Sequence, residues 1–266
     1  MIGYVIGAGQ VSGFDLRVFI LVLLCMIFAR SAAMAFNRFI DWKIDAKNPR
    51  TANREIPAGE IHPRHALWFV IANAAGFLIA AIFINPLCGY LAPLALFIIL
   101  IYSYSKRFTA LCHVILGVGL GLAPVGAFVA VTGEFSLPII LIGVSVVFWV
   151  AGFDIIYALQ DDDFDASQNL RSIPVWLGRP NALMLSRFFH MITAICMLFA
   201  AWLLYERFEW FHYLSMVGVL FFIASLIYQH SLVSKDDLSK IGMAFFTTNG
   251  LASLMLGCCV IVDYMI

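Results

Sequence analysis

Apolar residues fill this chain in runs of about 20, broken by short polar stretches, rather than alternating with polar ones as in a surface strand or a half-buried helix. Runs of that length predict membrane-spanning helices near residues 16–41, 65–85, 88–105, 111–131, 137–159, 182–204, 211–230 and 241–263. A further apolar stub, MIGYVIGAG, precedes them at about half the length needed to span; it reads as a half-helix or the remainder of a longer first helix. With no basic segment and no cleavage site, it does not read as a signal peptide.

The polar connections alternate in character. Residues 42–64 carry Lys43, Lys47, Arg50, Arg54 and Arg64; Lys106 and Arg107, then Arg171 and Arg179, then Lys235 and Lys240 occupy every second connection thereafter. The intervening connections, around Gln10–Phe14, Asn85–Pro86, Thr132–Ser136 and Tyr205–Trp210, are short and nearly free of basic charge. The positive-inside rule makes the basic set cytoplasmic. Composition agrees with the pattern: 63% of residues are hydrophobic and 12% charged, against roughly 25% charged in soluble domains. A net charge of zero offers nothing to nucleic acid. The expectation is an all-α, multi-span transmembrane bundle forming a single domain over residues 1–266.

Rows of acidic residues interrupt the apolar pattern twice, both times at the basic end. One row reads Asn37, Asp41, Asp45 and the other Asp154, Tyr157, Asp161, Asp165. Spacing of mostly four residues stacks each row on one helical face, where like charges repel and call for a cation between them. Carboxylates suit hard cations such as Mg2+, held by one or two at a time with phosphate oxygens and water completing the shell. The two rows are therefore expected to face each other and hold a diphosphate through Mg2+. Arg50, Arg54, Lys106, Arg107 and Arg171 supply positive charge for its remaining oxygens. Arg30 lies seven residues before Asn37, inside a span, where an ionisable side chain costs about 2.5–3.5 kcal/mol and points to a site. Asp162 and Asp163 fall off the stripe and are expected to face water or counter-charges. Gly117, Gly119 and Gly121 read as close helix packing rather than a nucleotide loop. The six cysteines contain no CxxC pair and read as small apolar residues. A weak echo joins the two halves: Asn48, Arg50, Thr51, Ile56, Pro57 and Gly59 after the first row, Asn169, Arg171, Ser172, Ile173, Pro174 and Gly178 after the second.

NRFIDWKID, NPRTANREIPAG, YSYSKRFT and DxxYxxxDxxxD, in that order, resemble the UbiA superfamily of intramembrane prenyltransferases. The resemblance implies a nine-helix bundle, here with its first helix cut short, around a central cavity with a lateral opening to the bilayer. It implies transfer of a polyprenyl group from polyprenyl diphosphate to a ring carbon of a small aromatic acid, 4-hydroxybenzoate first and a dihydroxynaphthoate second, for quinone synthesis in a bacterial inner membrane. On that reading Asn37, Asp41, Asp45, Asp154, Asp161 and Asp165 hold Mg2+, with Asp41, Asp45, Asp161 and Asp165 catalytic. Arg50, Arg54, Lys106, Arg107 and Arg171 bind the diphosphate, and Arg30 and Tyr157 face the acceptor, with the diphosphate as the other partner open to Arg30. A transporter of divalent cations or anionic metabolites is the rival from another class; it needs no basic loops beside both acid rows. A membrane phosphotransferase would show a different acidic signature, and a soluble isoprenyl diphosphate synthase would not need spans.

Overall fold

The computed structural model describes residues 1–266 and is helical throughout. After α1 (Ile2–Val11) come α2 (Leu16–Asp45), α3 (Pro63–Ile84), α4 (Pro86–Ser105), α5 (Cys112–Thr132) and α6 (Leu137–Ala158). A short α7 (Asp162–Ser167) leads to α8 (Ile173–Arg207) and α9 (Tyr213–Ser231), and a π-helical stretch (Met243–Thr248) runs into α10 (Asn249–Met265). Eight of these helices are long and apolar enough to cross a bilayer, and the expected spans fall on them one for one. The stub forms α1, ten residues long, with Tyr4, Ile6 and Ala8 buried and its C-terminus closed by Ser12 in the left-handed region.

Local sequence sets where the helices begin. The Asp15 carboxylate accepts from the N–H groups of Arg17 and Val18 at 2.8 and 3.1 Å. Asn85 accepts from Cys88 N–H at 2.8 Å, and Ser172 from Val175 N–H at 3.4 Å. Each side chain satisfies a donor that has no partner inside the first turn. Proline stands in the first turn of α3, α4, α6 and α8, where its missing N–H does no harm. Two ends differ from the expected spans. α2 continues to Asp45, four residues past the predicted end, so the whole first acidic row is helical. Helix also starts at Ile173 rather than near 182, with one break at Gly178, whose φ of 73° suits glycine and lets the chain turn before Pro180.

Packing follows the glycines and small residues, as it must where lipid removes the hydrophobic drive between helices. A Cβ on Gly117 would sit 2.2 Å from the Val147 carbonyl oxygen, and one on Gly121 would sit 2.7 Å from that of Gly143. α5 and α6 thus touch backbone to backbone, the packing role expected of this glycine run. One core, including Val5, Phe128, Ile139, Leu204, Phe211 and Phe222, joins α1, α5, α6, α8, α9 and α10. A second, including Ile155, Ile156, Leu159, Ile173, Leu183, Leu232 and Ile241, sits under the second acidic row. It ties the end of α6 to the start of α8 and to the connection before α10. The outward surface carries Trp68, Ile82, Phe97, Trp202 and Leu254, which suits hydrocarbon rather than water.

Candidate active site at the basic end of the bundle

Because the spans alternate in direction, α2, α4, α6 and α9 all finish at one end, and the basic connections 46–62, 106–111, 159–172 and 232–242 cover it. Both acidic rows close on this end, on α2 and on α6 with α7. Side chains from the first connection cross to the second row: Arg50 sends Nε (2.9 Å) and Nη2 to the two oxygens of Asp161, and Asn48 donates to Asp161 Oδ1 at 3.1 Å. Lys47 also reaches Gln168 at 3.3 Å. One connection therefore pairs with carboxylates of both rows, Arg54 with Asp45 and Arg50 with Asp161.

Each carboxylate has a distinct partner. Arg54 Nη1 lies 2.8 Å from both oxygens of Asp45, and Arg107 Nη2 lies 3.0 Å from Asp41. Lys106 Nζ lies 3.2 Å from Asp165. Asn37 donates to the other oxygen of Asp41 at 3.2 Å. Asp154 pairs with His113 at 2.7 Å. Asp45, Asp161 and Asp165 are buried, while Asp41 and Asp154 each keep 22% of the side chain exposed. Lys106 is also within electrostatic reach of Asp41, Asp154 and Asp161, which makes it a counter-charge common to both rows.

The loop groups show what this pairing does to proton affinity. Burial pushes the Asp161 carboxyl up, but the Arg50 and Asn48 hydrogen bonds outweigh it and hold the group below its ordinary value. Burial likewise opposes the charge on Lys106, and the Asp165 carboxylate overrides it, so the ammonium stands above its usual range. The Asp161 hydrogen bond raises Arg50. All three remain charged at neutral pH.

The other expected site residues divide. Tyr157, expected at the acceptor, accepts a hydrogen bond from Arg50 Nη1 at 3.1 Å, and its ring stacks on Phe245 with centroids 4.1 Å apart. It stands beside the charged cluster. Arg171 touches no carboxylate: its N–H donates to Lys106 O at 2.7 Å and its guanidinium to Phe108 O at 2.8 Å, bracing the loop that carries Lys106 and Arg107. Arg30 is exposed in mid-helix and has no acidic partner. Asp162 is forked by Arg179 at 2.6 and 2.8 Å and Asp163 is 97% exposed, as the stripe geometry expects. His113 and Asn48 were not read as site residues from sequence. His113 had a signal, an ionisable group within a span; Asn48 had only its place in the echo.

The donors in the rows are all oxygen, which fits a hard cation such as Mg2+. No three His, Cys, Asp or Glu residues converge on one point as a protein-only cage would require. That suits an ion completed by phosphate oxygens and water. An open apolar groove of about 680 Å³ lined by Leu16, Arg17, Ile20, Leu21 and Phe83 lies at the opposite end, away from this chemistry.

The sequence model of the UbiA prenyltransferase family matches residues 1–251. The 4-hydroxybenzoate octaprenyltransferase of Nitrosomonas europaea is 29% identical over 243 residues, 91% of this chain and 80% of its own. That of Vibrio atlanticus is 28% identical over 236 residues, 88% of this chain and 81% of its own. A UbiA homolog from Aeropyrum pernix K1, solved in its apo form, superposes with a TM-score of 0.88 at 30% identity, covering 98% of this chain and 96% of that one. A UbiA homolog from Archaeoglobus fulgidus bound to GPP and Mg2+ shares the fold, with a TM-score of 0.74 at 21% identity over all of this chain and 94% of its own. With the motifs, the spans and nearly the whole length in agreement, this chain belongs to the UbiA prenyltransferase family and is an integral membrane enzyme.

Proposed function

We propose that this protein transfers a polyprenyl group from polyprenyl diphosphate to a ring carbon of 4-hydroxybenzoate, in a quinone pathway, at a site facing the cytosol of a bacterial inner membrane. The observation that carries this reading is the pairing of five aspartates with three arginines, a lysine and a histidine at one end of the bundle. The names of the Nitrosomonas and Vibrio relatives support the acceptor. The basic connections support the cytosolic orientation.

Asn37, Asp41 and Asp45 on one side, and Asp154, Asp161 and Asp165 on the other, would hold Mg2+ with the diphosphate. Bound there, the ion supplies Lewis-acid stabilisation of the charge that builds on the leaving group. Arg50, Arg54, Lys106 and Arg107 contribute fixed positive charge to the same oxygens, Arg as a planar fork and Lys as a point charge. Arg171 holds the Lys106 loop in place beside them. As the C–O bond to diphosphate breaks, an allylic cation forms and the electron-rich ring attacks it at carbon. The ring then gives up the proton at that carbon to the released diphosphate and regains aromaticity. The reaction requires that water be kept from capturing the cation. Arg30, a charged group in a span without an acidic partner, is suited to the acceptor carboxylate.

Membranes containing the protein, supplied with labelled prenyl diphosphate, Mg2+ and either 4-hydroxybenzoate or dihydroxynaphthoate, test this by product mass. A prenylated 4-hydroxybenzoate is expected; a naphthoate product alone overturns the acceptor assignment. Asp41→Ala and Asp161→Ala are each expected to abolish transfer while the protein still inserts. Full activity in both would remove the reaction reading.

A further inference from the structure

Of the five aspartates in the two rows, four pair directly with a lysine or arginine and one does not. Asp154 takes its hydrogen bond from His113, in the first turn of α5 and wholly buried. The ring makes two contacts. Nδ1 lies 2.7 Å from Asp154 Oδ2, and Nε2 lies 3.3 Å from the backbone nitrogen of Ile173, the first residue of α8. A backbone N–H only donates, so Nε2 accepts, and the network assigns the ring proton to Nδ1, aimed at Asp154. The donor used by Nε2 is one that the first turn of α8 leaves without an internal partner. Asp154 Oδ1 makes no hydrogen bond, and its side chain is partly exposed.

We propose that His113 is a positioning residue that sets which oxygen of Asp154 is offered to the metal and diphosphate. Oδ2 is fixed by the imidazole and Oδ1 is left to coordinate. Carboxylates that bind metals are themselves held by hydrogen bonds, and losing such a partner typically lowers metal affinity or activity about 10–100-fold. Anchoring Nε2 on the first residue of α8 gives the ring one orientation, and through it fixes Oδ2 of Asp154. This inference rests on the metal and diphosphate reading above and adds the residue that orients Asp154 within it.

The test uses the full chain in lipid nanodiscs, as wild type and as His113→Leu, His113→Asn and His113→Gln. Bound Mn2+ is counted by EPR in the presence of inorganic pyrophosphate, and kcat and KM for prenyl diphosphate are measured separately. His113→Leu is expected to weaken Mn2+ binding and lower kcat by about 10–100-fold, with KM changed by less than about threefold because the four basic side chains are untouched. An asparagine amide can stand where Nδ1–H stood, so His113→Asn should recover most of the loss. The glutamine amide reaches toward Nε2 and should recover less. Wild-type Mn2+ binding and kcat in His113→Leu overturn the proposal. If His113→Leu does not fold, the Asn–Gln pair decides, and equal behaviour of the two overturns it. A wild-type protein that binds no Mn2+ with pyrophosphate removes the parent reading and this one together; an active wild type with an indifferent His113 removes this one alone.

Discussion

Asp161 takes hydrogen bonds from two side chains of a connection more than a hundred positions earlier, so its ionisation reports on the meeting of the two rows. Its carboxyl lies below its ordinary value in the folded protein, and the sign of the consequence follows. Stability from this contact is fully present above the ordinary carboxylate pKa of about 4 and is lost as pH falls through the folded value. Asp161→Asn should therefore lower the unfolding temperature at neutral pH and by progressively less as pH drops below about 4, a difference that thermal unfolding in detergent can measure. Arg50→Lys should not restore what Arg50→Ala loses, because Arg50 uses Nε and Nη2 on one carboxylate and Nη1 on Tyr157. The readout is KM for prenyl diphosphate, expected to rise about tenfold or more in both variants. At this scale the sequence was readable where charge stood out against an apolar background: Asp41, Asp45, Asp154, Asp161 and Asp165 were all visible. Which base faces which acid was not, since pairing depends on how loops fold over the helix ends. Arg171, as basic as Arg50, turns its guanidinium to a carbonyl instead.

Among the elements, the π-helical stretch before α10 is the feature that hydropathy hides. Residues 241–263 read as one uniform span, yet Met243–Thr248 are wound more widely. The stretch is held from outside by Gln229, which donates to Ala244 O at 2.7 Å, and Asn249 accepts from Trp149 Nε1 at 3.1 Å. It brings Phe245 against both Tyr157 and Phe153. Wide turns of this kind tend to occur at functional sites. Phe245→Ala should free the Tyr157 ring and raise KM for prenyl diphosphate several-fold, and Phe245→Tyr, which keeps the stacking face, should not. The glycine run of α5 was legible for the opposite reason: small residues in a span have one common use. Gly117→Val would push a side chain into the Val147 carbonyl, and a loss of about 1–3 kcal/mol or more is expected in unfolding measurements in detergent. The echo between the halves has a physical counterpart in Gly59 and Gly178, both at positive φ, while its arginines have gone separate ways.

For the molecule as a whole, span number, alternation and the shared end of the two rows were open to inspection because all three follow from counting apolar residues and lysines. The depth of α1 in the fold and the route by which α8 starts early, at Ile173, were not; both depend on tertiary contacts that leave no periodicity. The internal pairing of the site has a consequence for the order of assembly. On the proposed metal and diphosphate reading, a metal ion arriving by itself must compete with an arginine or lysine already seated on each of four aspartates and leaves that base without an anion. A metal ion arriving together with pyrophosphate supplies the displaced base with a new anionic neighbour. Occupancy should accordingly be synergistic, with Mn2+ titrating far more weakly alone than with pyrophosphate present. In the resting protein these side chains keep the acid rows from repelling one another, and on the proposed reading the same four bases are the ones that turn to the incoming diphosphate.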